Sequence, residues 1–265
     1  MKRFLPFAIL FFVIISVSTA QGQEKEKEKS IQIRWYGQSF FQVTTVDGTK
    51  IVFDPHAMTE YGRQLLKGDL VLISHLHDDH SQFEILENAD ELKKLEKERV
   101  FFGVNLKSKG KEWNKINGKY KNITFRNIPC YHDNEEGMKR GKNSIFIVET
   151  DGLKIAHLGD LGHLLEEETL KEIGEVDILM IPIGGIYTIN GGNAREVIKA
   201  IKPRLYILPM HYGTKVFDGL QEPTEFLEGQ KNVRRIESNL LTVPVNLKQD
   251  VPSIVLMGFS PVEGK

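Results

Sequence analysis

From residue 31 onward the chain alternates short apolar runs with turn residues, and one order of elements occurs twice. FFQVTTVDGTKIVFDPH (40–56) and SIFIVETDGLKIAHLGDLGH (144–163) each place two β-rich segments around an Asp-Gly pair, the composition a tight hairpin prefers. Each then runs into an aspartate with a histidine close behind, Asp54 with His56 and Asp160 with His163. The uninterrupted apolar runs GDLVLI (68–73) and VDILMI (176–181) follow, of strand length and ending in polar or glycine-rich loops. Helical spacing is read in FEILENADELKKLEKE, in LLEEETLKEI and in NAREVIKAI before Pro203. The pattern predicts an α/β protein of two similar halves, each a sheet covered by helices and packed face to face. Strand-end loops of both halves would meet along one edge, and a shared site is expected there.

Ahead of this region, MKRFLPFAILFFVIISVSTAQGQ places Lys2 and Arg3 before an uncharged apolar stretch, Phe4 to Val17, with Ser18 and Ala20 at a small-residue cleavage position. This reads as a secretory signal peptide over residues 1–20, followed by a charged tether over 21–30 that includes EKEKEK. Residues 31–265 are left as one domain. An uncleaved anchor is the rival reading, but the apolar part is shorter than the roughly 20 residues that span a bilayer. The protein is therefore expected to be secreted or periplasmic, with no permanent membrane span after cleavage. Lys and Arg number 35 against 36 acidic residues, a net charge of −1, so no basic excess for nucleic-acid binding exists. Cys130 is the single cysteine; it excludes an internal disulfide and reads as a small core residue.

Chemistry concentrates at SHLHDDH (74–80), where three of the eight histidines fall within six residues, interleaved with aspartates. In an extended segment His75, His77 and Asp79 project to one side, and His80 follows as the chain turns. Such a set costs too much desolvation without a cation. Imidazole and carboxylate together suit zinc, iron or manganese.

The HxHxDH spacing of His75, His77, Asp79 and His80 resembles the metallo-β-lactamase superfamily. Further likeness lies in PCYHD with His132, HLGD with Asp160 and LPMHYG with His211. RGKNSIF, HLGDLGH, IPIGGIYTIN and PMHYG resemble the metal-dependent hydrolase branch that includes ascorbate-phosphate lactonases and, more distantly, N-acyl-phosphatidylethanolamine phospholipases. The resemblance implies a four-layer αββα sandwich and two divalent transition-metal ions, Zn2+ foremost, with Mn2+ or Fe2+ as alternatives. It implies one ion on His75, His77 and His132, a second on Asp79, His80 and His211, and Asp160 between them. Asp54 matches the aspartate that supports a metal ligand from behind, with a simple turn residue before Pro55 as the alternative.

Other positions carry weaker signals. His163 is a candidate proton donor or a surface residue at a helix start, and His157 reads as core. Arg140 and Asn143, eight and eleven residues after His132, are candidate substrate contacts or plain loop residues. Gly184 and Gly185 end an apolar strand where close backbone approach is one explanation.

A two-metal site of this kind implies attack by a hydroxide held between the ions, with Asp79 and Asp160 in the catalytic set. The residual positive charge suits a small anionic substrate with a lactone, ester or phosphodiester bond. A β-lactamase-type amidohydrolase and an iron-dependent redox enzyme are the alternatives; transfer-RNA processing fits worse, given the expected export and the lack of an RNA-gripping arm or basic excess.

Overall fold

In the computed structural model, residue 1 and residues 28–259 are described; residues 2–20 of the expected leader and most of the tether lie outside them. Among the described residues the strands are β1 (Ser30–Trp35), β2 (Phe41–Thr44), β3 (Lys50–Phe53), β4 (Leu70–Ile73), β5 (Val100–Phe102), β6 (Asn117–Tyr120) and β7 (Ile123–Tyr131). They continue as β8 (Lys142–Thr150), β9 (Leu153–His157), β10 (Ile178–Pro182), β11 (Tyr206–Met210), β12 (Val233–Ile236), β13 (Leu240–Pro244) and β14 (Ser253–Met257). The helices are α1 (Ala89–Lys94), α2 (Glu96–Arg99), α3 (Glu167–Ile173), α4 (Gly191–Ile201) and α5 (Thr224–Leu227). No helix among the described residues is long and apolar enough to cross a membrane.

Two sheets form, in the orders β13-β1-β2-β3-β4-β5 and β12-β14-β11-β10-β9-β8-β7-β6. The recurring sequence pattern is recurring topology. β2 and β3 pair antiparallel and β4 joins β3 in parallel, just as β8 and β9 pair antiparallel and β10 joins β9 in parallel. In the second hairpin Asp151 and Gly152 both take positive φ, +52° and +77°, the geometry whose twist matches the flanking strands.

β4 shows why its sequence is apolar throughout. Leu70 and Leu72 face the core between the sheets, together with Phe53, Ile145, Ile155 and Met180. Val71 and Ile73 face outward onto Phe83, Leu86 and Leu92 beneath the helical layer. A parallel strand covered on both faces has no place for alternation. The result is the expected four-layer sandwich, with thin outer layers: among the described residues the longest helix is α4, at 11 residues.

Candidate metal centre

All the clustered donors lie just past strand ends at one edge of the sandwich. The 75–80 loop follows β4, His132 follows β7, Asp160 lies beyond β9 and His211 follows β11. Two groups form whose ligand atoms lie within 4.8 Å of one another, His75/His77/His132 and Asp79/His80/His211. Asp160 stands between them. Its Oδ2 is 3.1 Å from His132 Nε2, 3.2 Å from His80 Nε2 and 3.1 Å from His211 Nε2.

The segment from His75 to Asp79 is not extended, which corrects the strand-like expectation. It turns, with His80 N donating to His77 O at 3.0 Å. That turn leaves His75 and His77 facing each other, Nε2 to Nδ1 at 3.1 Å, and throws Asp79 to the other group.

Buried side chains hold the donors from behind. Asp54 accepts from Ser74 N at 2.7 Å and Ser74 Oγ at 2.6 Å, and its Oδ2 meets His80 Nδ1 at 3.0 Å. Ser74 Oγ lies 2.9 Å from His75 Nδ1, so one carboxylate orients a histidine of each group. Asp54, His75 and His80 also lie close enough to form a donor group, but Asp54 already spends its oxygens on these partners. Ser39 Oγ donates to Asp160 Oδ1 at 3.2 Å, which turns Oδ2 towards the imidazoles. A Cβ on Gly184 would collide with the His211 carbonyl, so close backbone approach is the reason for glycine there.

Charge at the site is unbalanced. Burial opposes the Asp160 anion, yet the His211 and His80 charges hold its carboxyl well below the carboxylate range. Burial likewise opposes the Asp79 anion, which His80 and His211 nonetheless depress. Conversely, burial disfavours protonated His211, but Asp160 raises it to about 9. His75 is driven well below its ordinary value by burial and by neighbouring His80 and His132.

The residues between β1 and His211 coincide with a known domain: a β-lactamase superfamily domain matches residues 32–211. The chain belongs to this superfamily. A UPF0173 metal-dependent hydrolase of Thermoplasma acidophilum is 30% identical over 197 residues, covering 70% of this chain and 84% of its own. One from Thermococcus onnurineus is 27% identical over 203 residues, with 69% and 85% covered. A solved Thermotoga maritima structure of the metallo-β-lactamase superfamily aligns with a TM-score of 0.64 at 28% identity, covering 86% of this chain and 98% of that one. This superfamily member is a metal-dependent hydrolase.

Its residues fit metal. One carboxylate oxygen of the hydrolase faces three imidazole nitrogens, two more imidazole nitrogens face each other, and buried His80 Nε2 has no hydrogen-bond partner among the described residues. Protons alone cannot satisfy so many converging lone pairs, whereas divalent cations do.

A cavity of about 350 Å3 opens over the donors, lined by His77, Asp79, His132, Asp160 and His211, with Lys139, Arg140 and Tyr187 on its wall. Arg140 lies on the wall of this cavity. Asn143 is not: it is fully buried, donating to Leu158 O at 2.9 Å and to Cys130 Sγ at 3.1 Å and accepting from Asp160 N at 3.2 Å. It braces the strand ends and lines no part of the cavity. His163 is also corrected, because its Nε2 accepts from Tyr131 N at 3.1 Å and its Nδ1 lies 2.7 Å from Leu164 O. Both ring nitrogens are engaged by backbone, so it has no proton position facing the cavity.

His157 is core, with Nε2 on Ser39 O and its ring stacked on Phe53, and burial lowers its pKa. Cys130 is buried and its thiol is pushed up to about 12 by burial. Ser39, Ser74, Lys139 and Tyr187 carried no sequence expectation. Lys139 adjoins Arg140 and Ser74 opens SHLHDDH, so adjacency was the available signal for both; Ser39 has none.

Proposed function

We propose that this hydrolase cuts an ester-like bond, in a lactone, ester or phosphodiester, of a small anionic molecule. Two divalent transition-metal ions, zinc foremost, would be held by His75/His77/His132 and by Asp79/His80/His211, with Asp160 touching both. The observation that carries this reading is the single cavity with both donor groups at its floor and Lys139 and Arg140 on its wall. When bound, such ions supply Lewis acidity and acidify a water molecule.

The protein's own groups have separable roles. Asp160 keeps the two donor groups in register through Oδ2 while Ser39 holds Oδ1. Asp79, one-third exposed at its side chain and lining the cavity, takes the proton as water oxygen bonds to the carbonyl carbon or phosphorus. The bond to the leaving oxygen breaks, and Asp79 returns the proton to that oxygen as the alcohol departs. Arg140 holds the anionic group away from the cut bond. Near-equal acidic and basic totals support a small-molecule partner over nucleic acid. The leader-like N-terminus supports export with cleavage after Ala20.

Metal analysis of reconstituted protein, coupled to a screen of chromogenic esters, lactones and phosphodiesters, tests the proposal. Two ions per chain and turnover in at least one class are expected. One ion or none in folded protein, or no turnover in any class, would sink it.

A further inference from the structure

A cavity of about 640 Å3 lies on the outer face of the first sheet and shares no lining residue with the cavity over the metal donors. It exists because the helical layer is narrower than the sheet. Val52, Val71 and Ile73 face outward beneath Phe83, Leu86 and Leu92. Beyond that cover, β1 and β2 turn Arg34 and Gln42 outward side by side in register, and Lys50 of β3 stands next along the same face. The chain from Gln64 to Lys67 closes the recess on the other side.

Three cations border it, Arg34, Lys50 and Lys67, against one carboxylate, Glu87. Arg34 is oriented by Asn239, whose Oδ1 accepts from Nη1 at 3.2 Å. Among the described residues none of the three cations forms an ion pair. Asp69 spends its Oδ2 on the Lys50 backbone N–H at 2.8 Å and is not in the wall.

Surface cations are ordinarily solvated and make no site by themselves. The floor of this recess is different, because its polar side chains are buried. Gln42, 5 % exposed, donates to Lys67 O at 2.9 Å, and Gln64, 3 % exposed, donates to Tyr61 O at 2.7 Å. A primary amide has two N–H donors, so each glutamine keeps one that nothing takes among the described residues. Tyr36 is 7 % exposed, its ring packed on Phe40 at 4.8 Å, and its hydroxyl has no hydrogen-bond partner among the described residues. Burial raises the Tyr36 hydroxyl and the Arg34 charge draws it back, so it keeps its proton and remains a donor beside a guanidinium.

We propose that this recess binds a dianionic oxyanion, inorganic phosphate or the phosphate of a small phosphomonoester, at a site separate from the metal centre. Three cations less Glu87 leave two positive charges, the complement of a phosphate near neutral pH. The unused N–H groups of Arg34, the amides of Gln42 and Gln64 and the Tyr36 hydroxyl are all donors, as an oxyanion requires. A nucleic-acid strand is a poorer occupant: its phosphates need cations in a row, and these surround one recess. Exposed Leu65 and buried Leu66 in the same wall offer an apolar surface to the organic part of a monoester.

The test is calorimetric titration of the metal-loaded protein at about pH 8, where the probes are dianions. They are inorganic phosphate and phenylphosphonate, an uncleavable stand-in for a monoester. Phosphate also meets metal ions, so the site is read as the binding that the Lys50→Gln/Lys67→Gln variant loses. That variant should keep its full metal content, which shows it to be folded. Affinity at the site should fall about tenfold or more, as for the loss of two charge-assisted contacts. Tyr36→Phe removes one oxygen atom and should weaken the same site about three- to tenfold. Nitrate, with a single charge, should bind at least about tenfold more weakly than phosphate. Tighter binding of phenylphosphonate than of phosphate supports a monoester site, and the reverse order supports one for inorganic phosphate. Phosphate affinity unchanged in either variant, or nitrate bound as tightly as phosphate, overturns the proposal.

Discussion

Asp54 and Asp160 occupy equivalent places in the two halves. Each follows the second strand of an Asp-Gly hairpin, β3 or β9, and each is buried. Their neighbours differ. Asp54 is met by Ser74 N, Ser74 Oγ and His80 Nδ1, so its charge is consumed inside the protein. Asp160 has one internal donor, Ser39, and turns its other oxygen to Nε2 of His80, His132 and His211. A repeated topology delivers a carboxylate to the same edge twice. Which one is used up inside the protein and which one faces the clustered histidines depends on the loops of the other half.

The sharpest way to break this comparison is Asp160→Ala. The rate should fall about 10²–10³-fold, the range for losing a key electrostatic group, and metal content should drop from two ions towards one. Full rate with full metal content would end the distinction between the two aspartates. Asp54→Ala should act more mildly on chemistry and more strongly on the fold. Metal affinity is expected to fall about 10–100-fold, as for other groups that orient ligands. Folding stability should drop by about 1–3 kcal/mol, since buried Ser74 donors lose their acceptor. Metal titration and chemical denaturation of the two variants measure both halves of the contrast.

Proton linkage sharpens the comparison from the Asp160 side. His211 in the metal-free protein sits at about 9, against 6.5 for a free histidine, and His80 is raised as well by Asp160 and Asp79, against the opposing effect of its burial. A raised histidine contributes stability that is complete below pH 6.5 and disappears as pH climbs through about 9. Chelator-treated protein should therefore lose on the order of 2 kcal/mol across that window. Metal-loaded protein should not, because the ions replace the protons. Thermal melts with and without chelator between pH 6 and 10 check this, and a flat profile for the chelated protein would contradict it. The smallest effect is expected outside both halves' donors. Arg140→Ala should raise KM about tenfold with little change in kcat, the signature of a contact present before and during the reaction. Steady-state kinetics on the best anionic substrate decide it; a fall confined to kcat would move Arg140 from binding to chemistry.

The sequence by itself determined the hairpin-and-strand pattern of each half, because alternation, β-branched runs and Asp-Gly turns act over a few residues. It also determined the donor types and their order, since three histidines and a carboxylate in SHLHDDH have no cheap buried state without a cation. Grouping was decided elsewhere. The turn at His77–His80 sends Asp79 away from His75 and His77, and extended periodicity cannot anticipate a turn made after the strand has ended. Asn143 and His163 lie near the right ligands along the chain, yet register aims them differently. Asn143 pairs with Cys130 across β7 and β8 and points into the core, while His163 is tied to the Tyr131 backbone. Ser39 reaches Asp160 across 121 residues, a contact that exists only once the two sheets have packed. Local propensity writes elements and donors into the sequence. The side chains that share a cavity are chosen by the register and packing of distant strands, which only the tertiary structure supplies.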